Sequence, residues 1–270
     1  MKKKTIEFPT EWEEVQPREW LYLCKIFFRM IENPQITLLD IKRDFVRFVL
    51  ANRNLKQKGS LEYYHLVQQL TETLDWIFIE ADGKVAINFN STVNLLPKWE
   101  NFFGPADHGA DLTFGEFRLA MQMMNTYTIS HQEIYLTYLC GVLYRRRKHG
   151  EREPFDVGQL NTYTFRAARI PQFVRYAVYL WLASFSKFLL EGTFVIDGNE
   201  VCFADIFGKN TDESTAKSLG MNSILYSMAE SGIFGTIDDV DKAPLLKVLM
   251  KLLDDKYKLD AIQKQAKERE

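Results

Sequence analysis

Histidines and their acidic neighbours are the residues of this chain that could most readily bind a metal or move protons. None of the four histidines pairs with another at the HxxxH or HExxH spacing that places two imidazoles on one helix face for zinc. They are His65, His108, His131 and His149. The densest cluster is Asp107-His108-Gly109-Ala110-Asp111. Calcium loops need more oxygen ligands than this cluster offers, and Asp and Gly also form ordinary turns before helices. The sequence therefore predicts no metal site.

The segment Phe207-Gly208-Lys209-Asn210 has a superficial similarity to a phosphate-binding loop. Such a loop needs a second glycine five residues before its last one, where this chain has Phe203, and Ser or Thr after the lysine, where it has Asn210. The chain also has no GxSxG nucleophile motif. We therefore predict that the protein is not an enzyme and needs no cofactor.

The three cysteines are far apart in the chain and form no CxxC pair. They are Cys24, Cys140 and Cys202. Each lies in an apolar stretch, where a free thiol packs like a small hydrophobic side chain. This usage is typical of a reducing compartment, so we predict a cytoplasmic protein.

The strongest charge run is Arg145-Arg146-Arg147-Lys148, and Arg152 follows closely. Such a run can contact the phosphates of a nucleic acid, with Tyr144 as a stacking neighbour. Cations at the C-terminal end of a helix also stabilise it through the helix dipole. Three acidic residues follow within eight positions of Lys148 and would neutralise part of the patch. Phosphate contact by these five cations is thus one interpretation, and a structural helix end is the other.

The helices and turns that must position these residues are visible in the pattern of the chain. Of its 270 residues, 46% are hydrophobic and 14% aromatic, and the formal net charge is −2. This composition predicts a large folded core without a global field toward nucleic acid or an anionic membrane. The most apolar stretch, residues 173–190, is interrupted by Arg175 and Lys187, so its uncharged part is shorter than the roughly 20 residues needed to span a bilayer. We predict a buried core helix there and no membrane association.

Apolar residues recur at helical spacing through most of the chain, and capping residues mark several helix starts. Pro17 suits a first helical position. The other predicted starts are Thr37, Ser60, Thr113, Ser130 and Thr236. Two stretches change to β-prone residues around an Asp-Gly pair, near residues 76–89 and near residues 193–203, and each predicts a β-hairpin.

These elements predict a mainly α fold with two helical lobes, each with a small β-hairpin. The N-terminal lobe would comprise residues 1–103 and the C-terminal lobe residues 104–270, with the boundary in an irregular segment that contains Gly104-Pro105. The final helix carries a leucine face that would either pack in the core or dock in the groove of a partner. Its residues are Leu245, Leu249, Leu252 and Leu259.

A series of short motifs occurs in a fixed order over most of the chain. They are Phe8-Pro9-Thr10-Glu11-Trp12, Gln16-Pro17, Leu96-Pro97, Gly104-Pro105-Ala106-Asp107, Leu112-Thr113-Phe114-Gly115-Glu116-Phe117, Leu139-Cys140-Gly141-Val142-Leu143-Tyr144-Arg145, Arg152-Glu153-Pro154-Phe155 and Met228-Ala229-Glu230-Ser231-Gly232-Ile233-Phe234-Gly235-Thr236. With these motifs the chain resembles a protein of the tail-gene clusters of phages and prophages of Bacteroidetes-type bacteria. The proline that usually follows the Leu-Tyr-Arg block is replaced here by Arg146.

The resemblance implies a tail-assembly chaperone or a small virion structural protein without catalytic residues. We therefore predict a non-enzymatic tailed-phage assembly or structural protein that acts through protein–protein contacts. Its partners would be phage tail or other virion proteins, or further copies of the same chain. It would reside in the cytoplasm of the bacterial host or become part of the virion. The alternative is a nucleic-acid-associated protein that uses the basic patch at residues 145–148.

Overall fold

The computed structural model describes residues 7–33, 35–54, 59–81, 83–148, 150–196, 198–206 and 221–268. Over these residues the chain is mainly α-helical with small two-stranded antiparallel sheets, which confirms the predicted fold class. The segment similar to a phosphate-binding loop, His149 and the first part of the helix predicted from Thr215 lie outside the described residues.

The helices follow one another along the chain with short connections. They are α1 (Pro17–Glu32), α2 (Leu38–Asn52), α3 (Leu61–Glu72), α4 (Phe114–Ser130), α5 (Glu133–Leu143), α6 (Leu160–Ala167), α7 (Gln172–Glu191), α8 (Met221–Glu230), α9 (Ile237–Lys242) and α10 (Leu245–Lys267). Single 3₁₀ turns, among them Trp12–Glu14 and Asp107–Gly109, connect several of them.

Most predicted helix starts are confirmed, because the capping side chains make the expected hydrogen bonds. Pro17 is the first residue of α1. The threonines at 37, 113 and 236 each form a reciprocal capping box with an acidic residue three positions later. The predicted start at Ser130 is wrong. Helix α4 continues through Ser130, whose hydroxyl donates to the carbonyl of Thr126, and ends at His131 in the left-handed region (φ 54°).

The two predicted hairpins are present, as β1 (Phe78–Ala81) with β2 (Lys84–Ile87) and β7 (Thr193–Ile196) with β8 (Asn199–Cys202). Two further pairs were not predicted, because strands of two residues are too short to show an alternating pattern. They are β3 (Lys98–Trp99) with β4 (Phe102–Phe103), and β5 (Arg147–Lys148) with β6 (Glu151–Arg152). The predicted end of α5 near Arg147 is accordingly wrong, since the helix stops at Leu143 and the basic run enters a hairpin.

The core is one hydrophobic cluster to which residues of both predicted lobes contribute. In the N-terminal part, Trp12 lies 5.3 Å from Trp20 and 5.0 Å from Trp76 between ring centroids, and its indole N–H donates to the carbonyl of Asn88. Across the predicted boundary, helix α1 packs on α7, where the ring of Phe27 stacks on Tyr176 at 6.3 Å.

Helix α7 is the helix, within the described part of the chain, that is long and apolar enough to cross a membrane by length and composition. Half of its most apolar window is buried inside the protein. Its buried residues include Ala177, Val178, Leu182 and Phe185, and it contacts α1, α4 and α5. These contacts are those of a core helix.

Candidate functional site

The predicted basic patch is divided between the interior and the surface of the protein. Arg145 follows the end of α5 and is buried, with 3% of its surface exposed. Its Nε donates to the carbonyl of Glu153 at 2.7 Å, Nη1 donates to the carbonyl of Val142, and Nη2 donates to Oε1 of Glu116. The guanidinium also lies 5.3 Å from the ring centroid of Phe155. It is therefore enclosed by carbonyls, a carboxylate and an aromatic face.

Arg152, on β6, reaches the same carboxylate from the other side. Its Nη1 donates to Glu116 Oε1 at 2.8 Å and to the carbonyl of Leu143 at 2.9 Å, and its Nη2 lies 3.1 Å from Asp111 Oδ2. Only 8% of the Arg152 side chain is exposed. The two arginines and Glu116 thus form a buried network that joins α4, the end of α5 and the hairpin β5–β6.

Glu116 is the centre of this network, and it has a second role at the start of α4. Its Oε2 accepts from the backbone N–H of Thr113 at 2.9 Å and so completes the capping box. Burial lowers the pKa of Arg145, while the nearby charge of Glu116 opposes that shift. An arginine stays protonated under any ordinary condition, so the network is an ion cluster with two cations for one fully buried anion.

This arrangement corrects the predicted set of phosphate contacts. Arg145 and Arg152 are internal and already engaged, so they are not available to a bound phosphate. Arg146, Arg147 and Lys148 are exposed, and for them phosphate contact stays a prediction. Sequence reasoning could not separate the two groups, because all five side chains have the same charge and the inward positions depend on Glu116, more than 25 residues away.

A cleft of about 820 Å³ lies beside this network and is bordered by both unpredicted hairpins. At its rim, the guanidinium of Arg147 lies 4.2 Å from the ring centroid of Phe103, and Nζ of Lys98 lies 5.2 Å from the same centroid. Sequence reasoning did not identify Lys98 or Phe103 as candidates. A single lysine and a Phe-Phe pair in an irregular segment carry no signal until the hairpins bring them together.

The Asp107-to-Asp111 cluster has structural roles in the described structure. Asp107 Oδ1 accepts from the backbone N–H of Asn94 at 2.9 Å, and Asp111 Oδ1 accepts from that of Ala106 at 2.7 Å. His108 Nδ1 lies 2.7 Å from the hydroxyl of Thr92. No group of three or more His, Cys, Asp or Glu side chains within the described residues could hold a metal ion. These side chains fix the segment between the two predicted lobes.

Two of the three cysteines are buried thiols. Burial raises the pKa of the Cys24 thiol and of the Cys140 thiol above their usual range. Because the thiolate is the nucleophilic form, these thiols are poorly suited to nucleophilic chemistry. Cys202 is partly buried.

The predicted partner-binding leucine face of α10 is divided along the helix. Leu245 and Leu249 are buried in the protein's own core, and Leu252 packs partly against it, so the prediction is wrong for these three residues. Leu259 is 59% exposed, and Ile262, which was not predicted, is 62% exposed. Residues 257–268 are all exposed, so the last part of α10 packs against no neighbouring element of the described structure.

A separate apolar groove of about 430 Å³ lies along α4. Its lining includes Phe117, Met121, Ile129 and Leu190, with Arg118 at its edge. Arg118 is held by Asp241 of α9, to which its Nη2 donates at 2.7 Å.

No protein-family model, curated protein or solved structure matches this chain. The family resemblance of its motifs therefore stays a prediction, and the geometry described above is the basis for a functional proposal.

Proposed function

We propose that this chain is a non-enzymatic protein that works by binding other proteins, and that the free C-terminal part of α10 is its main contact. The observation that carries the proposal is the exposure of every residue from 257 to 268, although the first half of the same helix is buried in the core. At 1.5 Å per residue, residues 257–267 form about 16 Å of helix without a packing partner.

The exposed part of α10 has an apolar side suited to a protein groove. Leu259 and Ile262 are three residues apart and so lie on the same side of the helix. Such a pair is a typical anchor when an amphipathic helix binds in a hydrophobic groove. A helix of this length is marginal by itself in water, so a partner that covered these side chains would also stabilise it.

The absence of an enzymatic role is part of the proposal. The residues that could have supported chemistry are held in other roles: Asp107 and Asp111 accept backbone N–H groups, and the Cys24 and Cys140 thiols are buried. Glu116 has both carboxylate oxygens engaged by Thr113, Arg145 and Arg152.

We place the protein, as part of the same proposal, in the assembly of a tailed phage, as a tail-assembly chaperone or a virion component. The order of the sequence motifs is what supports this setting, and the free helix is what such a role would use. The partners would then be phage tail or other virion proteins.

The contact can be tested by co-expressing the tagged chain with the tail proteins of the same gene cluster. We expect wild type to retain one of them, and the double variant Leu259→Glu, Ile262→Glu to lose it. The matched control is Ala261→Glu with Gln265→Glu, which adds the same charge to exposed positions on the other sides of α10. Equal retention by the two double variants would contradict the proposed contact.

The setting needs a separate measurement. Purified virions and the remaining lysate should be compared by quantitative mass spectrometry. A constant copy number in virions identifies a structural component, whereas presence only in lysate together with a tail protein identifies a chaperone. If the chain is associated with tail proteins in neither fraction, the phage-assembly proposal fails.

A further inference from the structure

The exposed cations beside the cleft form a compact surface on two connected hairpins. We call it the cationic hairpin surface and define it by Lys98, Phe103, Arg146, Arg147 and Lys148. All four of its charged residues are exposed. Within the described residues, none of the four lies within 4.0 Å of a carboxylate oxygen in a salt bridge. Their charges are therefore available to a ligand.

The acidic residues that follow the basic run neutralise this surface less than their sequence positions suggest. Glu153 pairs with Arg166, 3.6 Å away between Oε2 and Nη1. The carboxylate of Asp156 caps the next turn, where it accepts from the N–H of Gly158 at 2.9 Å. Glu151 alone of the three stays on the hairpin, opposite Lys148. Two of the three expected counter-charges are thus engaged elsewhere.

The positions of the cations are fixed by the buried network beneath them. Arg147 pairs with Arg152 in the hairpin register, and Arg152 is anchored on Glu116. The N–H of Phe103 donates to the carbonyl of Arg145 at 2.7 Å, and the N–H of Arg145 donates back at 3.1 Å. Strand β4 is therefore tied to the base of the basic hairpin. The ring of Phe103 then holds Arg147 and Lys98 within about 9–10 Å of each other, since both lie close to its centroid.

We infer that the cationic hairpin surface binds the phosphate backbone of a nucleic acid without reading its sequence. Four fixed cations are suited to neutralising phosphates, and arginine can contact a phosphate through two N–H groups. A protein partner is less suited to this surface, because protein interfaces have an apolar centre. No large apolar side chain is exposed in the described parts of residues 98–104 and 144–155.

The test is fluorescence anisotropy of labelled 20-nucleotide single-stranded DNA and 20-base-pair duplex, titrated with the protein between 50 and 200 mM NaCl. With four phosphate contacts, the logarithm of the duplex association constant should fall against the logarithm of salt with a slope of about −3.6, which is a loss of roughly 150-fold over this range. For the single strand we expect a slope of about −2.8. The arm with the tighter binding identifies the preferred form of nucleic acid.

The decisive variant replaces Arg146, Arg147 and Lys148 with serine. Its duplex slope should fall to about −0.9, so that the same salt change costs only roughly 3- to 4-fold. The matched control replaces three exposed cations elsewhere, Arg18, Lys25 and Lys84, with serine and should keep the wild-type slope. Circular dichroism melts of both variants establish that they are folded.

A change in the opposite direction gives an independent check. Glu151→Gln removes the acid opposite Lys148 and should tighten DNA binding at 50 mM NaCl by a few fold. The inference is overturned if wild type does not bind either DNA at 50 mM NaCl, or if the triple serine variant keeps the wild-type slope. Displacement of DNA by polyglutamate at an equal concentration of charge would also overturn it, in favour of an acidic protein partner.

Discussion

The buried cluster of Glu116, Arg145 and Arg152 makes a sharp prediction about stability. The change is Glu116→Gln, which keeps the length of the side chain and an oxygen that can accept the N–H of Thr113. It removes the negative charge that two buried guanidiniums share. We therefore expect the loss of the ion pairs to dominate over any loss of helix capping.

The expected size follows from the burial of the three side chains. Glu116 is 1% exposed, and the side chains of Arg145 and Arg152 are 2% and 8% exposed, so water cannot replace the missing charge. Removing one partner of a buried ion pair costs about 3–5 kcal/mol. For a chain of this size about 2 °C of melting temperature corresponds to 1 kcal/mol, so the midpoint should fall by about 6–10 °C.

The assay is thermal and urea unfolding followed by circular dichroism. The control is Asp44→Asn, which removes an ion pair with Arg47 that is half exposed on both sides and should leave the midpoint unchanged. The double variant Glu116→Gln, Arg145→Met should be less destabilised than the sum of the single variants, because the unpaired buried charge of Arg145 is then gone. A midpoint within 2 °C of wild type for Glu116→Gln would refute the reasoning.

Three further predictions concern other parts of the fold. For the buried carboxyl of Glu19, burial raises the pKa, but hydrogen bonds from Arg53 and other donors outweigh it, and the net pKa is lowered. Its stabilising effect is thus present above about pH 4.5 and is lost as the pH falls below that value, so melting curves of wild type and Glu19→Gln should converge in acid. In Gly141→Ala the new Cβ would lie 2.9 Å from the backbone nitrogen of Thr164, and urea unfolding should show a loss of about 1–3 kcal/mol as α5 and α6 separate. Truncation after residue 256 should leave the melting midpoint unchanged, since residues 257–268 are exposed; a marked loss would show that they pack in the fold.

Local sequence signals predicted the parts of the fold that depend on nearby residues. The capping boxes that begin at Thr37, Thr113 and Thr236 involve partners three residues away, so they were visible in the sequence. The signal at Ser130 has the same form, but its hydroxyl binds the carbonyl of Thr126 inside α4. A capping motif therefore identifies a position that can cap, and the packing of the preceding helix decides whether it does.

The candidate site depends on distant residues, and there the sequence was insufficient. The pairing of Glu116 with Arg145 spans 29 positions, and nothing in either local pattern indicates it. The leucines of α10 show the same limit. Leu249 and Leu259 belong to one repeating helical face, yet Leu249 is buried and Leu259 is exposed, because the body of the protein ends partway along the helix.

The basic run shows how the buried network and the exposed surface depend on each other. Arg145 and Arg152 lie at the two bases of the hairpin and bind Glu116 inside the protein, while Arg146, Arg147 and Lys148 lie between them at the surface. A loop with three adjacent cations would tend to spread, because like charges repel one another. The inward arginines oppose that tendency by fixing both strands to α4. If the exposed cations bind phosphate, Glu116→Gln should weaken DNA binding in protein that is still folded, although Glu116 is too deeply buried to contact the DNA.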